Sequence, residues 1–242
     1  MLTINGLTKF YGKNKKAIDQ ISFTVNSGEI VGFVGHNGAG KTTTLKSCVG
    51  IINYDEGEIK IEGQSLKEHP VSCKQKVAFV PDTPTLYEYL TGYQYLNFIC
   101  DLYQVSGSVR QEKIQDLALK FEMELALGQL ISSYSHGMQQ KLALMAAFVH
   151  GPKLLILDEP FVGLDPKAFL TLKTLMNELC DRGGAVLFSS HILDVVEKLC
   201  HQLIIIRQGK IVASGQLDKI LGSKSLENVF MELTENGADL ND

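Results

Sequence analysis

The chain has 242 residues, 45% hydrophobic and 21% charged, a balance that suits a folded domain with a sizeable core and argues against a disordered chain. A net charge of −4 gives no support to a broad nucleic-acid surface, so no nucleic-acid partner is expected. The five cysteines are odd in number and show no C-x-x-C spacing, which favours reduced thiols in a cytosolic setting over a disulfide frame or zinc site. The N-terminus runs straight into strand-like sequence, MLTINGL, so no signal peptide is expected. No apolar run approaches the roughly 20 residues that span a bilayer.

Residues 2–34 read as strands. Thr3 to Leu7 alternates, and Ile18, Ile21, Phe23 and Val25 supply the apolar positions of the next segment. Between them, Phe10-Tyr11-Gly12 leads into a polar turn, GKNKK. Tyr11 has two readings, a half-buried edge aromatic or a ring offered to a purine base; the residue alone favours the first.

Glu29 to Val34 is a short apolar run of buried-strand type, and GHNGAGKTT follows it at residues 35–43. This matches the phosphate-binding pattern G-x-x-x-x-G-K-[ST]. Gly35, Gly38 and Gly40 let the backbone turn tightly, so the amides from His36, Asn37 and Ala39 onward converge on phosphate oxygens. Thr43 to Val49 has apolar residues at helical spacing, with Gly50 placed to end the helix, whose positive N-terminus faces the loop. Lys41 is expected to reach the β- and γ-phosphates, and the Thr42 hydroxyl to ligate Mg²⁺. A chance glycine-rich turn is the bland alternative; the strand, the lysine and the threonine together speak against it.

Tyr54 to Gly57 is turn chemistry, Glu58 to Ile61 a strand, and Glu62-Gly63 a second turn. Val77 to Val80 is a short buried strand ended by Pro81-Asp82-Thr83-Pro84. From Leu86 to about Ser133 the composition becomes helical. Thr91 to Gln94 is a capping box, Tyr95 to Tyr103 repeats at helical spacing, and Ser106-Gly107-Ser108 is expected to break that helix before a second run, Val109 to Phe121. Ser135-His136-Gly137 precedes a helical run from Met138 to His150. Leu154 to Leu157 is a buried strand ending in Asp158-Glu159-Pro160, and Asp165-Pro166 opens the next helix as N-cap and first helical residue. Ala185 to Phe188 is another strand, ending in Ser189-Ser190-His191. Leu203 to Ile206 and Lys210 to Ala213 form a hairpin across Gln208-Gly209. Leu226 to Leu233 reads as a short helix and 234–242 as a frayed end. The fold class is α/β.

Four apolar residues and an aspartate make Leu154 to Asp158 the pattern of the strand that carries a Mg²⁺-holding carboxylate in phosphate-loop NTPases. Glu159 beside it is placed to orient or deprotonate an attacking water. A strand followed by a helix cap is the bland reading of the same pair.

Taken together, Tyr11, GHNGAGKTT, YSHGM at 134–138, LLILDEP at 154–160, GLD at 163–165 and His191 resemble the ATP-binding subunit of an ABC (ATP-binding cassette) transporter, from Leu2 to about Leu221. That resemblance implies one ATPase domain with a P-loop NTPase core. Residues 1–85 and 152–221 would form a RecA-like core with a mixed sheet and an antiparallel β subdomain. About 86–151 would be an inserted α-helical subdomain carrying the signature motif, and 222–242 a C-terminal tail. It implies that Tyr11 stacks on adenine, reversing the reading of that residue alone. Lys41 and Thr42 would hold phosphate and Mg²⁺ with Asp158, Glu159 would be the general base, and His191 the switch residue at the γ-phosphate. Ser135 and Gly137, in the signature with His136 and Met138, would bind ATP held by a second cassette, and Asp165 would sit in the loop that crosses the dimer interface.

Two positions depart from the family's usual pattern. Tyr134, His136 and Met138 replace the Leu, first Gly and Gln of LSGGQ, and Asp82 stands where a Gln usually joins the metal site to the transmembrane partner. Both variants resemble single-cassette bacterial exporters of lipids, drugs or antimicrobial peptides. The implied partners are ATP, Mg²⁺, a second cassette (identical or paired) and a separate transmembrane permease, whose coupling helix residues 86–133 would grip. The implied location is cytoplasmic, at the inner face of the membrane. A regulatory or adaptor cassette that does not drive transport stays open as the alternative.

Overall fold

The computed structural model describes residues 1–12 and 15–235. A six-stranded sheet is its frame, in the order β10-β9-β3-β8-β7-β6: β3 (Ile30–Val34), β6 (Val77–Val80), β7 (Leu154–Asp158), β8 (Ala185–Ser190), β9 (Gln202–Arg207) and β10 (Lys210–Gln216). Five of these strands run parallel, and β10 turns back antiparallel on β9, so the sheet is mixed. A second, antiparallel sheet has the order β2-β1-β4-β5, from β1 (Leu2–Tyr11), β2 (Lys15–Val25), β4 (Glu56–Ile61) and β5 (Gln64–Ser65).

The parallel strands read as unbroken apolar runs because both of their faces are covered. Successive residues point to opposite sides. Val31, Phe33, Leu154, Ile156, Ala185 and Leu187 enter a core shared with the antiparallel sheet and with α1 (Lys41–Cys48). Ile30, Val34, Leu155, Leu157, Val186 and Phe188 enter a second core on the other face. That second core continues without interruption into α3 (Gly92–Leu102), α4 (Gly107–Phe121) and α5 (His136–Val149) through Leu96, Ile114, Phe121, Leu142 and Met145. It also takes in α6 (Pro166–Asp181), α7 (Leu193–Leu199) and α9 (Leu226–Glu235). All five cysteines are unpaired and buried.

The capping box at Thr91 forms: Gln94 N–H donates to Thr91 Oγ1, and Thr91 N–H donates to Gln94 Oε1. Asp165 caps α6, with Pro166 in its first turn. Several boundaries differ from those the sequence predicts. Ser106-Gly107-Ser108 is not the break: α3 stops at Leu102, Gln104 turns the chain at φ +56°, and Ser106 is the N-cap of α4. Likewise α5 starts at His136, because Ser135 takes the N-cap and its hydroxyl accepts the Met138 N–H. Glycine is tolerated in both first turns; in α5 the Ser135 hydroxyl satisfies one of the free amides, while Ser106 takes the N-cap position of α4 without a side-chain bond. Lys15 and Lys16 of GKNKK already belong to β2, with Lys15 paired to Tyr11; residues 13 and 14 lie outside the described residues. Thr234 is not frayed but buried in α9, its hydroxyl donating to Phe230 O, while 236–242 lie outside the described residues. Three short helices, α2 (Pro70–Lys74), α7 and α8 (Leu217–Leu221), are too brief to show a helical period in the sequence.

At the end of α5 the ring of His150 lies flat on Tyr103, centroids 3.7 Å apart and planes 10° from parallel. Burial, and then the Lys113 ammonium, hold its pKa down to about 4. A histidine that stays neutral in the fold but charges when unfolded costs stability as pH falls below about 6.5, at up to about 1.4 kcal/mol per pH unit. Denaturant melts at pH 7 and pH 4.5 should therefore show wild type losing roughly 2 kcal/mol relative to His150→Phe at the lower pH. Parallel losses in the two proteins would contradict a neutral buried His150.

Candidate nucleotide site

The carboxyl ends of β3, β8, β7 and β6 meet along one edge of the sheet, the place where open parallel sheets bind ligands. Val34 pairs with Ser190 and Asp158 with Ser189, which brings the loop after β3, the start of 191–193 and the Asp158-Glu159 corner together. There a cleft of about 530 Å³ opens. The loop residues Asn37, Gly38 and Gly40 and the helix residues Lys41, Thr42 and Thr43 line it. Asp82, Asp158 and Glu159 also line it, as do Tyr11, Lys15 and Lys16.

The loop is set by backbone space. Gly40 has φ +112°, and a Cβ there would lie 2.6 Å from Ala17 O; a Cβ on Gly35 would meet the carbonyl of Ile206. Ala39 N–H donates to His36 O, tightening the turn. No side chain caps α1, so its first amides stay free to face an anion. Lys41 Nζ folds over the loop, donating to Gly35 O at 2.6 Å and His36 O at 3.4 Å. Burial pulls its pKa below the ordinary lysine value, against the opposing pull of Glu159 and Asp158. A cation bound only to carbonyls, with carboxylates nearby, is equipped to exchange those carbonyls for phosphate oxygens.

Asp158 is 1% exposed. Its Oδ1 accepts the Ser189 hydroxyl at 2.5 Å, while Oδ2 is buried with no partner among the described residues. One free carboxylate oxygen, with the Thr42 hydroxyl and Asp82 on the same cleft, is a donor set of hard oxygens that fits Mg²⁺. Ser189 also accepts the Glu159 N–H at 3.0 Å, and Glu159 has the left-handed φ of +50°. That conformation turns its carboxylate to His191, whose ring Nδ1 lies 2.8 Å from Oε2 and whose backbone N–H donates to the same oxygen at 3.2 Å.

Tyr11 lines the cleft with 46% of its surface exposed, and Lys9 Nζ lies 5.9 Å from the ring centroid. Gly35 and His36 face instead a smaller cavity of about 180 Å³, beside Asn37, Ser190 and His191. Phe230 of α9 closes that cavity and packs on the His36 ring, centroids 4.9 Å apart. Ser135, His136, Gly137 and Met138 line neither space. They sit at the N-terminus of α5, where His136 Cδ2 would be 2.9 Å from a Cβ on Gly163, so this turn packs on Gly163 of the same chain. Asp165 is held there: Lys141 pairs with its Oδ2 at 2.6 Å, and Ala168 N–H donates to Oδ1 at 2.8 Å. The Lys141 ammonium and then the Ala168 amide keep its carboxyl below the usual range.

Sequence reasoning missed Ser189, Lys15, Lys16, Gln208 and Phe230. Ser189 ends a recognised strand and its pairing with Asp158 is a register, which no local pattern reveals. Gln208 and Gly209 reach the cleft because Gly209 N–H donates to Ala39 O, docking the β9–β10 turn on the loop.

Comparison with known proteins gives one answer. EcsA of Bacillus subtilis, an ABC-type transporter ATP-binding protein, is 36% identical over 98% of this chain and 98% of its own. LptB of Haemophilus influenzae, a lipopolysaccharide export system ATP-binding protein, is 31% identical over 96% of this chain and 97% of its own. A solved ATP-binding subunit of an ABC transporter superimposes with a TM-score of 0.93 at 34% identity, covering 96% of this chain and 99% of that one. The ABC transporter family model matches residues 18–162, from β2 through the phosphate loop to the Asp158-Glu159 corner, and the chain belongs to that family as an ATP-binding cassette.

Proposed function

We propose that this ABC ATPase subunit powers a membrane exporter by closing with a second cassette over ATP. The observation that carries the reading is a division within one chain. The phosphate loop, Asp158, Glu159 and His191 gather at one edge of the sheet, while Ser135 to Met138 stand at a helix N-terminus away from it. A loop and a helix end on different faces complete each other when two chains meet head to tail with two-fold symmetry.

In this reading Tyr11 stacks on adenine, and the loop amides with Lys41 hold the β- and γ-phosphates. Mg²⁺, held by Thr42 and the free oxygen of Asp158 with Asp82 nearby, would offset phosphate charge. Glu159 is the base: His191 occupies Oε2, which leaves Oε1 to take the proton of the attacking water. His191 holds that carboxylate and would serve as the switch residue at the γ-phosphate. Ser135, His136, Gly137 and Met138 would serve the partner's ATP, the Ser135 hydroxyl and free helix amides facing its anion.

Among the described residues no helix is long and apolar enough to cross a membrane, so the reading assigns the crossing to a separate permease. Exposed aromatics support a docking face in residues 86–133. Tyr89 is 74% exposed, and Tyr87 packs against Tyr89, Tyr95 and Phe98 in one surface cluster. The export direction rests on the likeness to LptB. The cassette would then work at the cytoplasmic face, with residues 86–133 gripping the permease. Stimulation of ATP hydrolysis by membranes containing the permease tests the role; a rate unchanged by permease would favour an adaptor cassette.

Glu159→Gln should keep ATP and trap the closed dimer, because hydrolysis is lost while affinity stays. Light scattering in excess Mg·ATP reads this directly, and a variant that remains monomeric contradicts the composite site. Tyr11→Ala should weaken ATP binding by roughly 1–3 kcal/mol, the range for aromatic platforms under bases, whereas Tyr11→Phe should leave it nearly intact. Equal affinity for wild type and Tyr11→Ala, by titration calorimetry, would make Tyr11 an edge aromatic only.

A further inference from the structure

Gln140 lies on α5, the helix that Ser135 caps, and is 1% exposed. Its Nε2 donates to the carbonyl of Pro160 at 3.3 Å. Its Oε1 is buried with no partner among the described residues. An apolar side chain of the same length would remove this orphaned acceptor but would leave the Pro160 carbonyl without its donor. A buried glutamine kept at that cost points to what its donor holds.

That donor holds the corner beside Glu159. The left-handed φ of Glu159 is rare for a residue with a side chain, and the following proline restricts it further. Such a conformation persists only where its surroundings over-determine it. Ser189 grips the corner at the Glu159 N–H, and Gln140 grips it at the Pro160 carbonyl. With both bonds in place, the Glu159 carboxylate is turned to His191.

We propose that Gln140 is a positioning residue for ATP hydrolysis, fixing the Glu159-Pro160 corner and tying it to the helix whose N-terminus carries Ser135. This rests on Glu159 being the base. The same helix then touches both composite sites of a dimer: Ser135 at the partner's ATP, and Gln140 at the base of its own.

Gln140→Met keeps the length and packing, removes the donor and removes the orphaned acceptor. A misplaced base is expected to lower kcat by about 10- to 100-fold. The Kd for Mg·ATP should change by less than about twofold, since no ATP contact is lost. The Tm should stay close to that of wild type, since one unpaired acceptor, Gln140 Oε1, is exchanged for another, the Pro160 carbonyl. Gln140→Leu, of different shape, should give the same split. Steady-state ATPase, ATP titration and thermal melts on the full chain read all three quantities, with Glu159→Gln run alongside. If Glu159→Gln is inactive and Gln140→Met and Gln140→Leu keep the wild-type kcat, the positioning role is overturned and the base assignment stands. If Glu159→Gln keeps the wild-type rate, both fall. A lowered Tm with kcat reduced only by the unfolded fraction would make Gln140 a packing residue and overturn the proposal.

Discussion

The register of three parallel strands is the constraint on which the site depends. Opposite Val34 stands Ser190, and opposite Asp158 stands Ser189. A slip of one residue would turn every side chain of a strand to the other face. Phe188 and Leu187 would exchange cores, and Ser189 would lose Asp158. Both faces are apolar and packed, so hydrophobic burial holds the register. The edge chemistry inherits its geometry from packing that involves no catalytic group.

Within that frame, Ser189 does two jobs with one hydroxyl. It donates to Asp158 Oδ1 and accepts from the Glu159 N–H. The first bond leaves Asp158 with a single free oxygen; the second fixes the turn that separates the two neighbouring carboxylates. Asp158 faces the loop and Glu159 faces His191, so adjacent residues serve different parts of the same cleft. Lys41 lies close enough to feel both charges while bonded only to loop carbonyls. The arrangement is poised for an anion, because a phosphate would satisfy the lysine, the loop amides and the helix terminus at once.

Two links reach the site from beyond the sheet edge. Phe230 of α9 packs on His36 in the phosphate loop, and Leu226 N–H donates to Glu197 Oε2 on α7, the helix after His191. Helix α9 thereby touches both the loop after β3 and the helix that follows His191. On the other side, Lys141 and Gln140 of α5 hold Asp165 and Pro160 in turn. The signature helix is thus fastened to the whole stretch between β7 and α6.

Much was legible in the sequence because it is local. The phosphate loop, the apolar run into Asp158, the Thr91 capping box and the Asp165-Pro166 helix start each depend on neighbours a few residues apart. Helix starts at Ser106 and Ser135 were not legible, since glycine reads as a break although both helices run through it in their first turn. Short helices such as 193–199 lack the length to show a period. The sequence by itself determined the order and spacing of the phosphate loop, the Asp158-Glu159 pair and His191, because motif spacing is a property of the chain. Only the tertiary structure decided that Ser189 bridges Asp158 and Glu159, that Gln140 holds Pro160, and that Ser135 stands apart from the cleft. These are contacts made across strand register and helix packing, between residues 20 to 31 positions apart where they bond, and no local pattern encodes them.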